Sequence, residues 1–193
     1  MPPSEFPPGD FATRRLPIET LEADWFLYRS HQRRYEPLFF SVGHPKNRFD
    51  DPSSRFGVCY CALSPEGAFA ETFLRQRRGD FVDATELEYR SLASIKIIEA
   101  LPMVACYGSG LSRLGATAAM SAGEMAKAQA WAQAIRDHPD EPAGLIYRVR
   151  HDNDQFGVAV FDRAQSSLEW ADSQSWRYSP HLNAICARYD LIL

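Results

Sequence analysis

The feature that most constrains this chain is a buried strand that runs directly into a capped helix. Residues 56–63 place apolar side chains on both faces of an extended segment, which is typical of a strand covered on each side. Ser64 is a good N-cap, and Pro65 suits the first helical position because its missing N–H would be unpaired there. The sequence therefore predicts a central strand followed by a helix that begins at about Pro65.

Charged and aromatic residues surround this unit. Glu71 lies beside the apolar stripe of the predicted helix. The ordinary interpretation is an exposed residue paired with Arg75, a contact that stabilises by about 0.3 to 0.5 kcal/mol. Arg48 and Arg55 bracket the turn before the strand, and Tyr60 lies within the strand. Together these residues could instead supply phosphate-binding charge, an aromatic ring and a carboxylate that stabilises developing positive charge.

The rest of the chain predicts one domain with an extended lead-in. Residues 1–17 are rich in proline and are typical of a flexible arm, so we expect the domain to span residues 18–193. The segments 91–98 and 102–107 are predicted to be neighbouring strands. Residues 144–149 and 158–161 are predicted to pair as an antiparallel hairpin.

Three further segments carry local signals. A first strand is predicted to end at Arg29, where the chain leaves the core. The glycines and serine of residues 108–110 predict a flexible stretch. Ser121 and Glu124 form a capping box that predicts the start of the clearest helix, and a short helix is predicted around residues 182–188.

Composition excludes several classes of function. The chain has 193 residues, is 45% hydrophobic and carries a net charge of -4, which suits one core and argues against nucleic acid as a partner. No apolar leader or long apolar run is present, so we expect a cytoplasmic protein without a membrane span. Histidines and cysteines do not fall at metal-ligand spacing, so we expect no metal site. Cys59 and Cys61 share one strand face and are interpreted as small buried residues.

In the order and spacing of several short pieces, the sequence resembles the RES domain family, the toxin half of bacterial toxin–antitoxin pairs. The resemblance spans about residues 25–161. The matching pieces are Tyr28-Arg29, Arg48-Phe49, Tyr60, Ser64-Pro65, Ala70-Glu71, Gln129-Ala130-Trp131-Ala132, Gly144-Leu145-Ile146-Tyr147 and Val158 to Phe161. The resemblance implies an α+β fold that is ADP-ribosyltransferase-like, with a mixed, mostly antiparallel sheet core flanked by helices.

The resemblance also implies an enzyme that cleaves the bond between nicotinamide and ribose in NAD. Such an enzyme is a NAD glycohydrolase if the acceptor is water and a NAD phosphorylase if it is phosphate; NAD is the substrate and no cofactor is implied. Glu71 would stabilise an oxocarbenium-like transition state. Arg29 and Arg48 would hold the pyrophosphate, Tyr60 would stack on or hydrogen-bond the nicotinamide end, and Tyr28 would complete the NAD-binding set.

One position departs from the family. The late strand of the family carries a serine where this chain has Val149, and valine makes no hydrogen bond. Either Ser109 or Ser112 takes over that role, or the register differs, or catalysis is altered.

Three alternatives stay open. The same cleavage with another acceptor would make the chain an ADP-ribosyltransferase acting on a protein or small molecule. The Val149 departure fits a catalytically weakened domain that binds a nucleotide or a partner protein, and the third alternative is a structural protein. The resemblance further implies a cognate antitoxin with a helix-turn-helix DNA-binding domain that blocks the NAD cleft. The sequence leaves a monomer and a homodimer both open.

Overall fold

A computed structural model describes residues 4–43, 45–76 and 79–193 of the chain. The strands in this part are β1 (Ile18–Leu21), β2 (Phe26–Gln32), β3 (Val58–Ala62), β4 (Arg90–Ile97), β5 (Leu101–Cys106), β6 (Gly144–Val149), β7 (Asp152–Phe161) and β8 (Leu168–Ser175). They form one eight-stranded sheet in the order β1-β5-β6-β7-β3-β2-β4-β8, antiparallel except for the parallel pair β5 and β6. The predicted mixed, mostly antiparallel sheet is confirmed.

Six α-helices accompany the sheet in the described residues. They are α1 (Pro65–Thr72), α2 (Ala84–Tyr89), α3 (Gly108–Leu114), α4 (Ala119–Ala122), α5 (Met125–Arg136) and α6 (Leu182–Arg188). The start of α1 is as predicted, because the Ser64 hydroxyl accepts the Gly67 N–H at 2.9 Å. None of the helices in this part of the chain is long and apolar enough to cross a membrane.

The core consists of three clusters that follow the alternation of side chains along the strands. On one face of β3, Val58 joins a cluster built around Trp131 of α5, while Ala62 joins a second cluster of residues from α1, α2 and α6. On the other face, Cys59 and Cys61 join a cluster that contains no residue of the α-helices described above. Because β3 lies between β7 and β2 and has neighbours on both faces, the prediction of a central strand is confirmed.

The prediction that β4 and β5 are neighbours is wrong. β4 pairs with β2 and β8, and β5 pairs with β1 and β6, so the two strands are not neighbours in the sheet. The short link between them leads from one part of the sheet to the other. A strand pattern gives the faces of a segment but not its partners, because pairing is decided by contacts that are distant in sequence. The antiparallel hairpin of β6 and β7 is confirmed.

Two local predictions about helices are also wrong. Residues 108–110 open α3 rather than a flexible loop, and Gly110 is needed because a Cβ there would collide with the Ala105 carbonyl. The Ser121 hydroxyl donates to the Ala118 carbonyl at 3.3 Å and therefore does not cap a helix. Gly123 ends α4, and α5 begins at Met125 with Glu124 as an N-cap whose side chain makes no capping hydrogen bond.

The described part of the N-terminal segment packs on the domain, contrary to the predicted flexible arm. Phe11 and Leu16 are buried in the cluster around Trp131, and the rings of Phe11 and Trp131 meet edge to face at 5.4 Å. The Trp131 indole N–H also donates to the Glu5 carbonyl at 3.0 Å. Apolar residues between the prolines supply this burial. Residues 1–3 of the predicted arm lie outside the described residues.

Candidate functional site

A cleft of about 390 Å³ opens between α1 and the junction of α4 and α5. It forms where β2 and β3 separate, since the register of these strands contains a single pair, Tyr28 with Ala62. All five residues proposed from the sequence line it: Tyr28, Arg29, Arg48, Tyr60 and Glu71. The structure thus brings together side chains from two strands, one loop and one helix.

Glu71 lies in the last turn of α1 and faces the cleft. Its carboxylate is hydrogen-bonded by the Tyr147 hydroxyl, which comes from β6. Burial raises the pKa of Glu71, and this effect outweighs the Tyr147 hydrogen bond and the nearby Arg75 and Arg48 guanidinium groups, which favour ionisation. Glu71 is therefore not the exposed surface residue of the ordinary interpretation, although Arg75 does lie close to it.

Tyr60 fastens the loop before β3 to the strand. Its hydroxyl donates to Asp50 Oδ1 at 2.9 Å and accepts the Phe49 N–H at 2.9 Å. Burial raises the pKa of Tyr60 well above its ordinary value, and the Asp50 carboxylate raises it further. Because this hydroxyl already has two partners, the ring face is the part of Tyr60 that a ligand can contact.

The second carboxylate oxygen of Asp50 accepts hydrogen bonds from the same loop. Asp50 Oδ2 accepts the Lys46 N–H at 3.0 Å, the Asn47 N–H at 2.8 Å and the Asn47 side-chain amide at 3.1 Å. The carboxylate is only 2% exposed. The loop conformation that presents Arg48 is therefore fixed by one buried carboxylate.

Arg48 lines the cleft. Its guanidinium donates to the Gly123 carbonyl at 2.6 Å, which joins the loop to the start of α5. Burial lowers the pKa of Arg48, as does the neighbouring Arg150, while Glu71 opposes the shift. A second cation crowded beside Arg48 indicates a place where an anion would be stabilised.

Arg55 is not part of this site, so the interpretation of two arginines bracketing an anion is wrong for it. Its side chain pairs with Asp51 at 3.3 Å and with Asp137 at 3.0 Å. The hydrogen bond to Asp137 raises the pKa of Arg55. Asp51 also accepts the Gln133 side-chain amide, and these contacts hold the turn against α5, outside the cleft.

Arg29 lies inside β2 rather than at its end, and it is half-buried. Its Nη1 donates to the Phe39 carbonyl at 3.2 Å and lies 2.8 Å from Cys59 Sγ, while its Nε is buried with no hydrogen-bond partner in the described chain. Burial alone would lower the pKa of Arg29, but Cys59 and Cys61 outweigh burial and raise it. A buried donor without a partner is costly.

Several cleft residues were not assigned to the site from the sequence. They are Tyr147 and the arginines Arg75, Arg90 and Arg150. Arg90 is paired with Glu86 at 2.8 Å, whereas Glu71 is the one carboxylate among the described residues that line the cleft. The alternation of side chains along β6 could have predicted which face of the strand Tyr147 occupies. No local feature of the sequence identifies the arginines as cleft residues.

The departure at Val149 does not remove a group from the cleft wall. Val149 is 1% exposed and packs in the cluster under α1 and α6. Ser109 and Ser112 do not line the cleft, but Ser30 and Ser121 do. The Ser30 hydroxyl accepts the Trp176 indole N–H at 2.9 Å, so its own proton can be donated elsewhere.

In residues 4–43, 45–76 and 79–193, no three His, Cys, Asp or Glu side chains come together as a metal site. His44, one of the histidines considered in the sequence, lies outside those ranges. His31 is buried, with Nδ1 3.1 Å from the Tyr35 carbonyl and Nε2 2.9 Å from the Ser173 hydroxyl. Burial lowers the pKa of His31, which suits a neutral ring that ties the loop after β2 to β8.

A chain in the crystal structure of the M. tuberculosis MbcT-MbcA toxin-antitoxin complex matches with a TM-score of 0.64 and 16% sequence identity, over 88% of this chain and 91% of that chain. A search of curated proteins gives no match. The family model of the RES domain matches residues 26–181, which include every cleft residue discussed above. The chain belongs to the RES domain family.

Proposed function

We propose that the chain is the toxin of a bacterial toxin–antitoxin system and that it degrades NAD by cleaving the bond between nicotinamide and ribose. The observation that carries this proposal is the meeting of one half-buried carboxylate, Glu71, with several arginines in a single cleft. Membership of the RES domain family supports it, as does the likeness to a toxin–antitoxin structure. NAD is the substrate in this proposal, and water or phosphate is the acceptor.

The chemistry needs one carboxylate and no strong acid. When the bond between ribose C1′ and the nicotinamide nitrogen breaks, its electron pair stays with the nitrogen and the pyridinium becomes neutral. Positive charge then develops on the ribose ring, and an anionic side chain close by lowers the energy of that state. Glu71 is the carboxylate for this role. The acceptor oxygen bonds to C1′ and gives its proton to solvent.

The arginines suit the other half of the substrate. A pyrophosphate carries negative oxygens that match the planar donor fork of arginine. Arg48 and Arg29 both line the cleft, and the Nε of Arg29 has no hydrogen-bond partner in the described chain. We assign the pyrophosphate to these two side chains. The ring faces of Tyr60 and Tyr28 are then available to pack on the nicotinamide end.

A cognate antitoxin is part of the proposal. The solved structure that this chain resembles is a toxin–antitoxin complex, and we propose a helix-turn-helix antitoxin that covers the cleft of this chain. The exposed side chains of Tyr35 and Phe39 stack at 6.5 Å on the loop after β2. They offer apolar contact area beside the cleft, since the Phe39 carbonyl is bonded to Arg29.

The test is to incubate the purified chain with NAD, with and without inorganic phosphate, and to follow nicotinamide release and the ribose-containing product by chromatography. Phosphate-dependent release identifies a phosphorylase, and release without phosphate identifies a glycohydrolase. Label from NAD on a protein target would indicate ADP-ribosyl transfer instead. Binding of NAD without any product would contradict the proposed reaction and favour a nucleotide-binding domain.

The two arginines around the turn before β3 are expected to differ sharply. Arg48→Ala should raise the KM for NAD by about 10- to 100-fold, since a hydrogen bond between charged groups contributes about 1.5 to 3 kcal/mol. Arg55→Ala is the matched control, because Arg55 pairs with Asp51 and Asp137 outside the cleft, and its KM should stay within about twofold of the parent. Steady-state kinetics of both variants provide the measurement. Equal effects of the two substitutions would argue against a pyrophosphate site at Arg48.

A further inference from the structure

Two thiols lie together beneath the cleft. Cys59 and Cys61 project from the same face of β3, and their sulfur atoms are 3.8 Å apart. Cys61 is among the residues that line the cleft and is 5% exposed, whereas Cys59 is fully buried. The other cysteines, Cys106 and Cys186, are free thiols in the two other core clusters. The chain thus contains one dithiol and two isolated cysteines.

A buried cation faces this dithiol. Arg29 Nη1 lies 2.8 Å from Cys59 Sγ, and the charged or acidic groups that act most strongly on Arg29 are Cys59, Cys61 and Tyr60. Arg29 forms no ion pair with a carboxylate in the described part of the chain. Burial of an uncompensated charge is expensive. Negative charge on the two sulfur atoms would therefore compensate the positive charge of Arg29.

We propose that Cys59 and Cys61 bind one soft monovalent cation of the Cu⁺ class, with Arg29 as the counter-ion of the complex. Thiolate sulfur selects soft metal ions. Two thiolates and one monovalent cation carry a net charge of -1, which the Arg29 guanidinium neutralises. A divalent ion would give a neutral complex and leave Arg29 buried without a counter-charge. The thiol protons pass to solvent when the ion binds.

The geometry needs little rearrangement. Two metal–sulfur bonds of about 2.3 Å, the length of a Zn–S bond, can bridge sulfurs that are 3.8 Å apart with the ion about 1.3 Å off the line between them. The two side chains extend from an inner strand with neighbours on both sides, β7 and β2, so the scaffold that presents them is rigid. The ion would occupy space beside Arg29, on the face of β3 opposite to Tyr60.

The proposal does not rest on NAD as the substrate, and its test measures binding directly. The reduced, purified chain is titrated anaerobically with Cu⁺ in competition with a coloured Cu⁺ chelator, and in parallel with Ag⁺ in chloride-free buffer. The matched variants are Cys59→Ser, Cys61→Ser and the double variant Cys106→Ser/Cys186→Ser. Circular dichroism establishes that each is folded.

The parent and the Cys106→Ser/Cys186→Ser variant are expected to bind one equivalent with equal affinity. Cys59→Ser and Cys61→Ser should each weaken binding by more than about 100-fold, since even changes outside the ligand shell cost about 10- to 100-fold. X-ray absorption of the Cu⁺-loaded parent should show two sulfur neighbours, and this result is independent of how well the variants fold. Undiminished binding in either single variant, or nitrogen or oxygen neighbours in place of the second sulfur, would overturn the assignment.

The role of Arg29 has its own control. Arg29→Met should weaken Ag⁺ binding by about 10- to 100-fold, as expected for an outer-shell partner. Zn²⁺ should fail to displace Ag⁺ from the parent at equal concentration. Displacement by Zn²⁺, or an unchanged Ag⁺ affinity in Arg29→Met, would contradict the charge argument that selects a monovalent ion.

Discussion

Replacing Glu71 with glutamine is expected to slow NAD cleavage by about 10²- to 10³-fold, the range found when one group that stabilises transition-state charge is removed. Glutamine keeps the size of the side chain and can still accept the Tyr147 hydroxyl hydrogen bond, so the cleft should keep its shape. The charge that opposes the developing positive ribose is lost. The measurement is the initial rate of nicotinamide release at saturating NAD, with thermal unfolding recorded on the same sample.

Glu66→Gln is the matched control on the same helix. Glu66 lies in the first turn of α1 and does not line the cleft. It interacts with the N-terminal end of the helix dipole, so its replacement should cost only a few tenths of a kcal/mol and leave the rate unchanged. A Glu71→Gln variant that releases nicotinamide at the parent rate would remove the carboxylate from the proposed mechanism.

The raised pKa of Glu71 adds a dependence on pH with a definite sign. The reaction needs the ionised carboxylate, so kcat/KM should fall as the pH is lowered through the folded-state pKa, and this fall begins at a higher pH than for an ordinary glutamate. A raised folded-state pKa also means that the folded state binds the proton more tightly than the unfolded state. The stabilising contribution of Glu71 is thus present below the unfolded-state pKa and lost as the pH rises through the folded-state pKa.

Glu71→Gln should accordingly be at least as stable as the parent at neutral pH, and the parent should gain relative to the variant in acid. Burial of the ionised Glu71 carboxylate lowers the stability of the folded state. Unfolding temperatures of the two proteins between neutral and mildly acidic pH provide the measurement. A variant that is less stable at neutral pH and recovers in acid would reverse the assigned sign.

Local chemistry predicted the parts of the fold that depend on neighbours in sequence. The cap at Ser64 and the proline at Pro65 define the start of α1, and the β6–β7 hairpin follows from a short turn. The positions of β4 and β5 could not be predicted, because each pairs with strands distant in the chain. The same limit explains the capping box: Ser121 and Glu124 have suitable spacing, but Gly123 adopts an extended conformation between them.

In the candidate site, too, some residues could be predicted from local sequence and others could not. Glu71 and Tyr60 lie on elements that are consecutive in sequence, and the family resemblance adds Tyr28, Arg29 and Arg48; all of them line one cleft. Arg55 resembled a second anion-binding residue because it is close to Arg48 in sequence. Its partner Asp137 follows the end of α5, 82 residues later in the chain, and such a contact leaves no trace in local sequence. Proximity in sequence thus predicted the helix and strand correctly and the arginine pair incorrectly.

Asp50 is the residue whose loss should damage both stability and the site. Its two carboxylate oxygens accept hydrogen bonds from the Tyr60 hydroxyl, from two backbone N–H groups and from the Asn47 side chain. These donors hold the loop that carries Arg48. Asp50→Ala would leave the Tyr60 hydroxyl and the loop N–H groups without their common acceptor, and a buried group that loses its partner costs about 1 to 3 kcal/mol. We expect a loss of about 3 kcal/mol in the free energy of unfolding, measured by urea denaturation.

Tyr60→Phe tests whether the network acts as a unit. It removes the hydroxyl that links β3 to Asp50 Oδ1 and to the Phe49 N–H, and it should cost about 1 to 2 kcal/mol. Because the two substitutions delete opposite ends of one hydrogen bond, the double variant should be less destabilised than the sum of the single ones, with a coupling of about 0.5 to 3 kcal/mol. Both variants should also raise the KM for NAD, since Arg48 is no longer held in place. Strict additivity of the unfolding free energies, or an unchanged KM in Asp50→Ala, would mean that Asp50 and Tyr60 stabilise the loop separately and do not position Arg48.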